Sequence, residues 1–393
     1  MLKNVYLAGG SRTPLGLFNG AFADVSAAEL GSVAIKAALR RANVAADDVD
    51  EVLFGNVVGA GLGQNIARQA ALGAGLPNSC GATTINKVCG SSMRAVILAA
   101  QAIQCGDADL IVAGGTESMT RAPYLLPKAR SGYRMGHGEL IDSMIHDGLW
   151  DVYNDVHMGT CGDKCARKYN ISRAEQDSFA IESYKRAVAA QAAGNFDAVM
   201  APVEVKTRQE TLVVDRDEEP TRFKEDRIRT LKPAFGPEGT VTAANASGIS
   251  DGAAAAVVVG EEKAHALGVK CDARILGHAN VAMEPEWFTI APIHAIKKLG
   301  DQLSIKLSDV DLFEINEAFA VVALVAMKEL NLPHEKVNVC GGAVAMGHPI
   351  GATGARIIVT LINSLRIRKQ KLGIACLCIG GGEASAIAVE RCD

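Results

Sequence analysis

The sequence predicts a layered α/β protein, and three observations carry that reading. Short apolar runs alternate with helical patterns in the first and last thirds of the chain. The stretch Leu110–Ser118 resembles Leu377–Ser385, and each follows a helix preceded by a strand and a Cys-Gly or Gly-Gly turn, a sign of internal duplication. The composition is 49% hydrophobic but only 5% aromatic, with 40 glycines, which suits packing by small residues. At 393 residues the chain exceeds what one core usually serves, so two or three subdomains are expected.

The elements follow in order. Val5–Ala8 reads as a short strand. Ser26–Arg41 has helical periodicity, with Ser26 as N-cap and Glu29 at the capping-box spacing. Val49–Phe54 is a strand, and Asn65–Leu72 a helix that stops near Gly73. Thr83–Val88 is a strand, Ser91–Gln104 an Ala-rich helix, and Leu110–Ala113 a buried strand closed by Gly114-Gly115. From 120 to 245 the pattern changes. Arg121–His137 has no clean period, and Arg173–Ala193 is an amphipathic helix capped by Ser172. The stretch Glu204–Lys232 holds eight basic and eight acidic residues and reads as a solvated excursion. The last third predicts strands at Ala253–Val259, Leu312–Ile315, Val337–Val339, Lys371–Cys378 and Ala384–Glu390. Its helices are Pro292–Leu299, Ala318–Glu329 and Gly354–Leu365.

Composition excludes several classes. A net charge of −4 argues against a general nucleic-acid binder. The chain has no unbroken apolar run of membrane-spanning length, so no membrane partner is expected. Neither end carries a recognisable targeting signal. Ten cysteines without a secretion signal point to reduced thiols and a cytoplasmic location. Cys161-x-x-x-Cys165 and Cys376-x-Cys378 lack the further ligands of a zinc site, so no metal is expected.

Chemistry concentrates in four short strings. His348 lies in the Gly-rich turn Gly347-His348-Pro349-Ile350-Gly351. Cys89 sits in Val88-Cys89-Gly90-Ser91-Ser92, and Cys378 precedes Gly380-Gly381-Gly382. Asn316 opens Asn316-Glu317-Ala318-Phe319. Singly, a cysteine packs, a turn histidine is solvated, and an asparagine after a strand caps a helix. Together, two thiols and an imidazole beside backbone N–H groups that glycine leaves accessible suit acyl-thioester chemistry. Cys89, at a helix N-terminus, meets unpaired N–H groups that favour its thiolate.

These strings, with Arg12-Thr13-Pro14, Gly114-Gly115-Thr116-Glu117-Ser118-Met119 and Asn245-Ala246-Ser247-Gly248, occur in an order that resembles the thiolase family over nearly the whole chain. The resemblance implies the thiolase fold, with two similar βαβαβαββ halves in α-β-α-β-α layers plus a loop domain. It places residues 1–119 with 246–270 in the N-terminal half, 120–245 in the loop domain and 271–393 in the C-terminal half. It also implies an acetyl-CoA C-acetyltransferase of the short-chain type, which condenses two acetyl-CoA to acetoacetyl-CoA plus CoA and runs thiolysis in reverse. The alternatives are a broad-range degradative 3-ketoacyl-CoA thiolase and a catalytically silent acyl-CoA-binding relative.

By that resemblance, Cys89 is the nucleophile and His348 takes its proton. Cys378 is the second acid and base. Asn316 holds a water for one oxyanion hole, and the N–H groups of Cys89 and Gly380 form another. Glu317 shapes the site rather than transferring protons. Ser247, His157 and Met158 would contact the pantetheine of CoA, and Arg222 or Lys224 its adenine and phosphates. Phe288 and Phe319 would bound the acyl group. No cofactor is implied beyond the CoA thioester itself. The segment 124–146, with Lys128, Arg130 and Arg134, resembles the family's tetramerisation loop, so a dimer of dimers is expected, tight through the sheet edge around 80–118. The chain departs from the pattern of several relatives at Trp287-Phe288, at Cys340 and at Glu383-Ala384-Ser385, which leaves acyl-chain preference open.

Overall fold

The computed structural model describes residues 3–393. Nine strands run in the order Leu312–Ile315, Leu372–Ile379, Glu383–Arg391, Ala273–Ala282, Val5–Arg12, Ser250–Gly260, Leu110–Ser118, Glu51–Gly55 and Gly81–Ile85. The two-residue strand Gly16–Leu17 pairs beside Ser250–Gly260 as a tenth. Two half-sheets meet at a short seam, where Tyr6 and Leu7 pair with Arg274 and Ala273.

Helices fill the layers. Ser91–Cys105 and Thr353–Ile367 lie between the half-sheets. Their Ile97, Ile103, Ile357 and Leu361 pack with Ile111 and Val258 from one sheet and Leu377 and Val389 from the other. Ala27–Ala42 and Ile66–Gly73 cover the outer face of the first half through Leu30, Ala34 and Ala70. Ala291–Leu303 and Ala320–Leu330 cover the second through Ile293, Val321 and Val325. The result is the α-β-α-β-α stack. Strand alternation allocates the faces: Ala375, Leu377 and Ile379 point to the middle layer, while Ile374, Cys376 and Cys378 point outward. Glycine sets the spacing in that middle layer. A Cβ on Gly115 would lie 2.1 Å from the Gly351 carbonyl oxygen, and one on Gly354 would lie 2.4 Å from the Met93 nitrogen.

Local signals account for the element ends. Ser26 and Ser172 each cap their helix and complete a capping box, with Glu29 and Glu175. The window Val88–Cys105 is apolar and long enough to cross a membrane by composition, with a mean hydropathy of 1.2. It forms the middle-layer helix and its approach, where two sheets bury most of it.

Three expectations need correction, and two elements were not foreseen. The strand expected over Thr83–Val88 ends at Ile85, because Val88 adopts a left-handed φ of 48° and the chain turns. The strand expected to close at Gly114-Gly115 continues to Ser118. Both glycines pair with Ala255 and Ala254, where the lack of a side chain lets the layers approach. Val337–Val339 forms one bridge, Phe313 to Val337, and no strand. The helix Met158–Tyr169 and the strand Ala273–Ala282 were not expected. Gly159 and Gly162 weaken the helical signal, and Gly277, His278 and Asn280 interrupt the strand pattern.

The charged run is not wholly solvated either. Val203–Lys206 and Thr211–Val214 form a hairpin, and Asp217 behind it is fully buried. Arg12 donates to both Asp217 oxygens at 2.7 Å, Leu15 N–H donates to one of them at 2.9 Å, and the guanidinium lies 4.7 Å from the Phe196 ring centroid. This pair ties the loop segment to the end of the strand Val5–Arg12. Asp217→Ala should lower stability by about 3–5 kcal/mol, since it strands a buried guanidinium. Urea unfolding measures this, and an unchanged midpoint would show that Arg12 finds another partner or water.

Candidate active site

The middle-layer helices begin at the same end of the stack, and each is preceded by a loop that carries one reactive side chain. Cys89 stands immediately before Ser91–Cys105, with Gly90 as the helix cap. The turn that presents it is fixed by local bonds. Val88 N–H donates to Asn86 Oδ1 at 3.0 Å and Lys87 N–H to Ser91 Oγ at 2.9 Å. The Ser91 hydroxyl donates to the Val88 carbonyl at 2.6 Å.

His348 precedes Thr353–Ile367. Its N–H donates to the Gly248 carbonyl at 3.0 Å, which joins the loop to the Asn245-Ala246-Ser247-Gly248 string. The Thr353 hydroxyl donates to the Pro349 carbonyl at 2.9 Å, so it accepts from His348 Nδ1–H at 2.6 Å. One hydroxyl proton cannot serve both bonds, and this assigns the tautomer. Nε2 is left with its lone pair, 3.5 Å from Asn316 Nδ2. The loop is seated on the Cys89 helix, where Ala355 N–H donates to Ser92 Oγ at 2.9 Å.

Asn316 follows the strand Leu312–Ile315 and does not cap the next helix, whose cap position is Phe319. Its backbone N–H donates to the Cys376 carbonyl at 2.9 Å, which sets it beside the strand that carries Cys378. Its side-chain oxygen accepts from the buried Arg356 at 3.4 Å, which turns the amide N–H toward His348. Glu317 is fully buried and accepts from Ser183 Oγ, Asn338 Nδ2 and Val344 N–H at 2.7, 2.8 and 3.1 Å.

Burial governs the protonation states. Cys89 is 6% exposed, His348 5%, and Cys378 and Asn316 1% each. Burial pushes the Cys89 thiol up to about 11, although the backbone N–H groups of Gly380 and of Cys89 itself oppose that shift. The expected stabilisation of its thiolate by the helix end is therefore outweighed by desolvation. Cys378 is raised well above the usual thiol range, first by burial and then by the nearby Cys89. Burial, with Arg356 in support, lowers His348 to about 3. All three shifts run in one direction, toward neutral thiols and a neutral imidazole and away from a thiolate–imidazolium pair.

The remaining expected residues fall in two places. Met158 lies against Gly380, where a Cβ would stand 2.2 Å from its terminal methyl carbon. His157 caps the helix Met158–Tyr169 by accepting from Gly159 N–H at 3.1 Å, and stacks on Phe235 with centroids 4.4 Å apart. Phe235 meets Phe319 edge-on, and Phe319 meets Phe288, each pair 6.5 Å apart. Met158, Phe288, Phe319 and Cys378 belong to one buried cluster. The half-buried Ser247 donates its hydroxyl to the Ala318 carbonyl at 3.0 Å. Arg222 lines an open cavity of about 540 Å³ with Tyr184, Lys224, Arg227 and Ala244. Among the described residues no group of His, Cys, Asp or Glu is arranged to hold a metal ion.

Sequence reasoning missed three supports. Thr353 orients His348, and its signal was a hydroxyl five residues on, at the helix start. Glu117 is fully buried and accepts from Asn56 Nδ2 and the N–H groups of Val57, Val58 and Gly351 at 2.8–3.2 Å. It locks the His348 loop to the first half. Arg356 orients Asn316 from the far side.

The Thiolase, N-terminal domain family matches residues 5–262, and the Thiolase, C-terminal domain family matches residues 269–391. The chain is a thiolase. It is 52% identical over 391 residues to acetyl-CoA acetyltransferase 2 of Arabidopsis thaliana, covering 99% of this chain and 97% of that protein. Its backbone matches the crystal structure of the Bacillus anthracis acetyl-CoA acetyltransferase with a TM-score of 0.97 at 40% identity, over 100% of this chain and 99% of that one. A thiolase from Ascaris suum in complex with coenzyme A matches with a TM-score of 0.94 at 43% identity, over 99% and 100% of the two chains. This thiolase therefore has the family's layered fold along its whole length.

Proposed function

We propose that this thiolase is an acetyl-CoA C-acetyltransferase that works through an acetyl-Cys89 intermediate. The observation that carries the reading is that the turn bearing Cys89 packs directly on the loop bearing Cys378 and Gly380: a Cβ on Gly380 would lie 3.6 Å from Val88 Cγ1, and one on Gly90 would lie 2.4 Å from Ile379 Cδ1. In this reading the backbone N–H groups of Cys89 and Gly380, one from each half, flank the oxygen of a thioester under attack.

Cys89 gives its proton to His348 Nε2 as its sulfur attacks the acetyl-CoA carbonyl. The departing CoA thiolate takes a proton from Cys378. The Cys378 thiolate then removes an α-proton from a second acetyl-CoA, whose enolate oxygen is held by His348 N–H and by a water on Asn316. The enolate carbon attacks acetyl-Cys89 and gives acetoacetyl-CoA. The released Cys89 thiolate recovers its proton from His348. Ser247, His157 and Met158 line the pantetheine path in this reading, and Arg222 with Lys224 meets the adenine and phosphates. Free CoA is the other product, and no further cofactor takes part. Phe288 and Phe319 limit the acyl group.

The division into an N-terminal half (1–119 with 246–270), a loop domain (120–245) and a C-terminal half (271–393) belongs to the same proposal. So does the dimer of dimers. It is supported by the partly exposed edge strand Gly81–Ile85 and by the exposed apolar side chains of Tyr124, Leu126, Met135 and Leu140. Ten free cysteines fit a reducing compartment such as the cytoplasm.

Thiolysis of acetoacetyl-CoA, 3-ketohexanoyl-CoA and 2-methylacetoacetyl-CoA, measured side by side, tests the reading. Turnover confined to acetoacetyl-CoA is expected. Comparable rates on the six-carbon substrate would make the enzyme a broad-range degradative thiolase, and CoA binding without turnover of any would leave an acyl-CoA-binding protein.

A further inference from the structure

We infer that the ion pair between Lys87 and Glu383 is a positioning clamp that holds the nucleophile turn against the second-thiol loop. This deepens the proposed function and rests on Cys89 being the nucleophile.

Three observations meet there. Lys87 Nζ pairs with the Glu383 carboxylate, and both side chains are partly buried, 23% and 34% exposed. Lys87 precedes Cys89 by two residues, and Glu383 follows Gly380 by three, at the start of the strand Glu383–Arg391. The pair therefore spans the two halves at the point where each supplies one amide donor. Between Lys87 and Cys89 stands Val88 at φ 48°, a conformation that a β-branched residue adopts only under constraint.

Local bonds from Asn86 and Ser91 hold Val88 within its own loop, but they do not fix that loop relative to Gly380. Packing there is close and apolar. A Cβ on Gly380 would lie 3.6 Å from Val88 Cγ1, and one on Gly90 would lie 2.4 Å from Ile379 Cδ1. Among the described salt bridges, Lys87–Glu383 is the one that joins these two loops. Relaxation of Val88 would swing the Cys89 N–H away from the Gly380 N–H, and the two donors would no longer meet on one oxygen.

The test is the rate of acetylation by acetyl-CoA, read by rapid quench and mass spectrometry, in Lys87→Met, Glu383→Gln, the double variant and Lys87→Arg. Each single neutral variant should acetylate about tenfold more slowly with KM for acetyl-CoA nearly unchanged, because misplacement of the donors weakens the transition state and not ground-state binding. The double variant should be no slower than either single, because one interaction is lost once. Lys87→Arg should stay near the native rate. Native-like rates in both single variants, multiplied losses in the double, or an effect on KM alone would overturn the clamp. If a neutral variant does not fold, Glu383→Asp keeps the charge and shortens the reach, and a native rate there would equally overturn it. Cys89→Ala, run in parallel, separates the two readings: retained acyl transfer would sink the nucleophile assignment, whereas a dead Cys89→Ala with unaffected clamp variants would sink only the clamp.

Discussion

Cys89→Ala is expected to abolish acyl transfer, with kcat falling on the order of 10⁴–10⁶-fold, the range lost when a covalent nucleophile is removed. Nothing nearby can replace it. Cys378 faces the outer cluster with Cys376, and burial holds its thiol well above the usual range. The protein should still fold and bind CoA, since the change removes one sulfur from a packed site. A companion measurement checks the protonation state. With the Cys89 thiol near 11, its alkylation by iodoacetamide in the free enzyme should climb about tenfold per pH unit from pH 7 to 10 without a plateau, because only the thiolate reacts. A plateau near neutral pH would mean that His348 already holds the proton before substrate arrives, contrary to its depressed basicity.

Cys378→Ala is expected to divide the reaction. In the proposed mechanism attack by Cys89 uses His348 and the two amide donors, all of which remain. Acetyl-enzyme should still accumulate, more slowly, because CoA leaves without a nearby proton donor. Condensation should fall about 10²–10⁴-fold, the usual contribution of a positioned general base. Mass spectrometry of the acetyl-enzyme, with acetoacetyl-CoA formation measured in the same sample, reads both halves. Equal loss of both would mean that Cys378 supports the fold of the site instead of moving protons. Retention of both would remove it from the mechanism.

The same division between group and environment runs through the sequence reading. Ser26 with Glu29, and Ser172 with Glu175, were legible because a capping box lies within four residues and depends on nothing else. The middle-layer helices were legible from their apolar runs. The strand Ala273–Ala282 was not, because its polar residues are accommodated by neighbours far along the chain. Asn316 looked like a helix cap by local rules. It faces His348 because Arg356, forty residues on, holds its oxygen. Asp217 looked solvated within a charged run, and Arg12, more than two hundred residues earlier, buries it.

By itself, then, the sequence determined the α/β alternation of the first and last thirds, the four reactive strings and the family they resemble. These rest on local preferences and on residue identity, which need no third dimension. Only the tertiary structure decided the protonation states. The helix end beside Cys89 favours a thiolate, and residue type alone would place His348 near neutrality, but burial between two sheets costs each charged form more than local donors return. Desolvation depends on everything that surrounds a group, and no spacing along the chain encodes it.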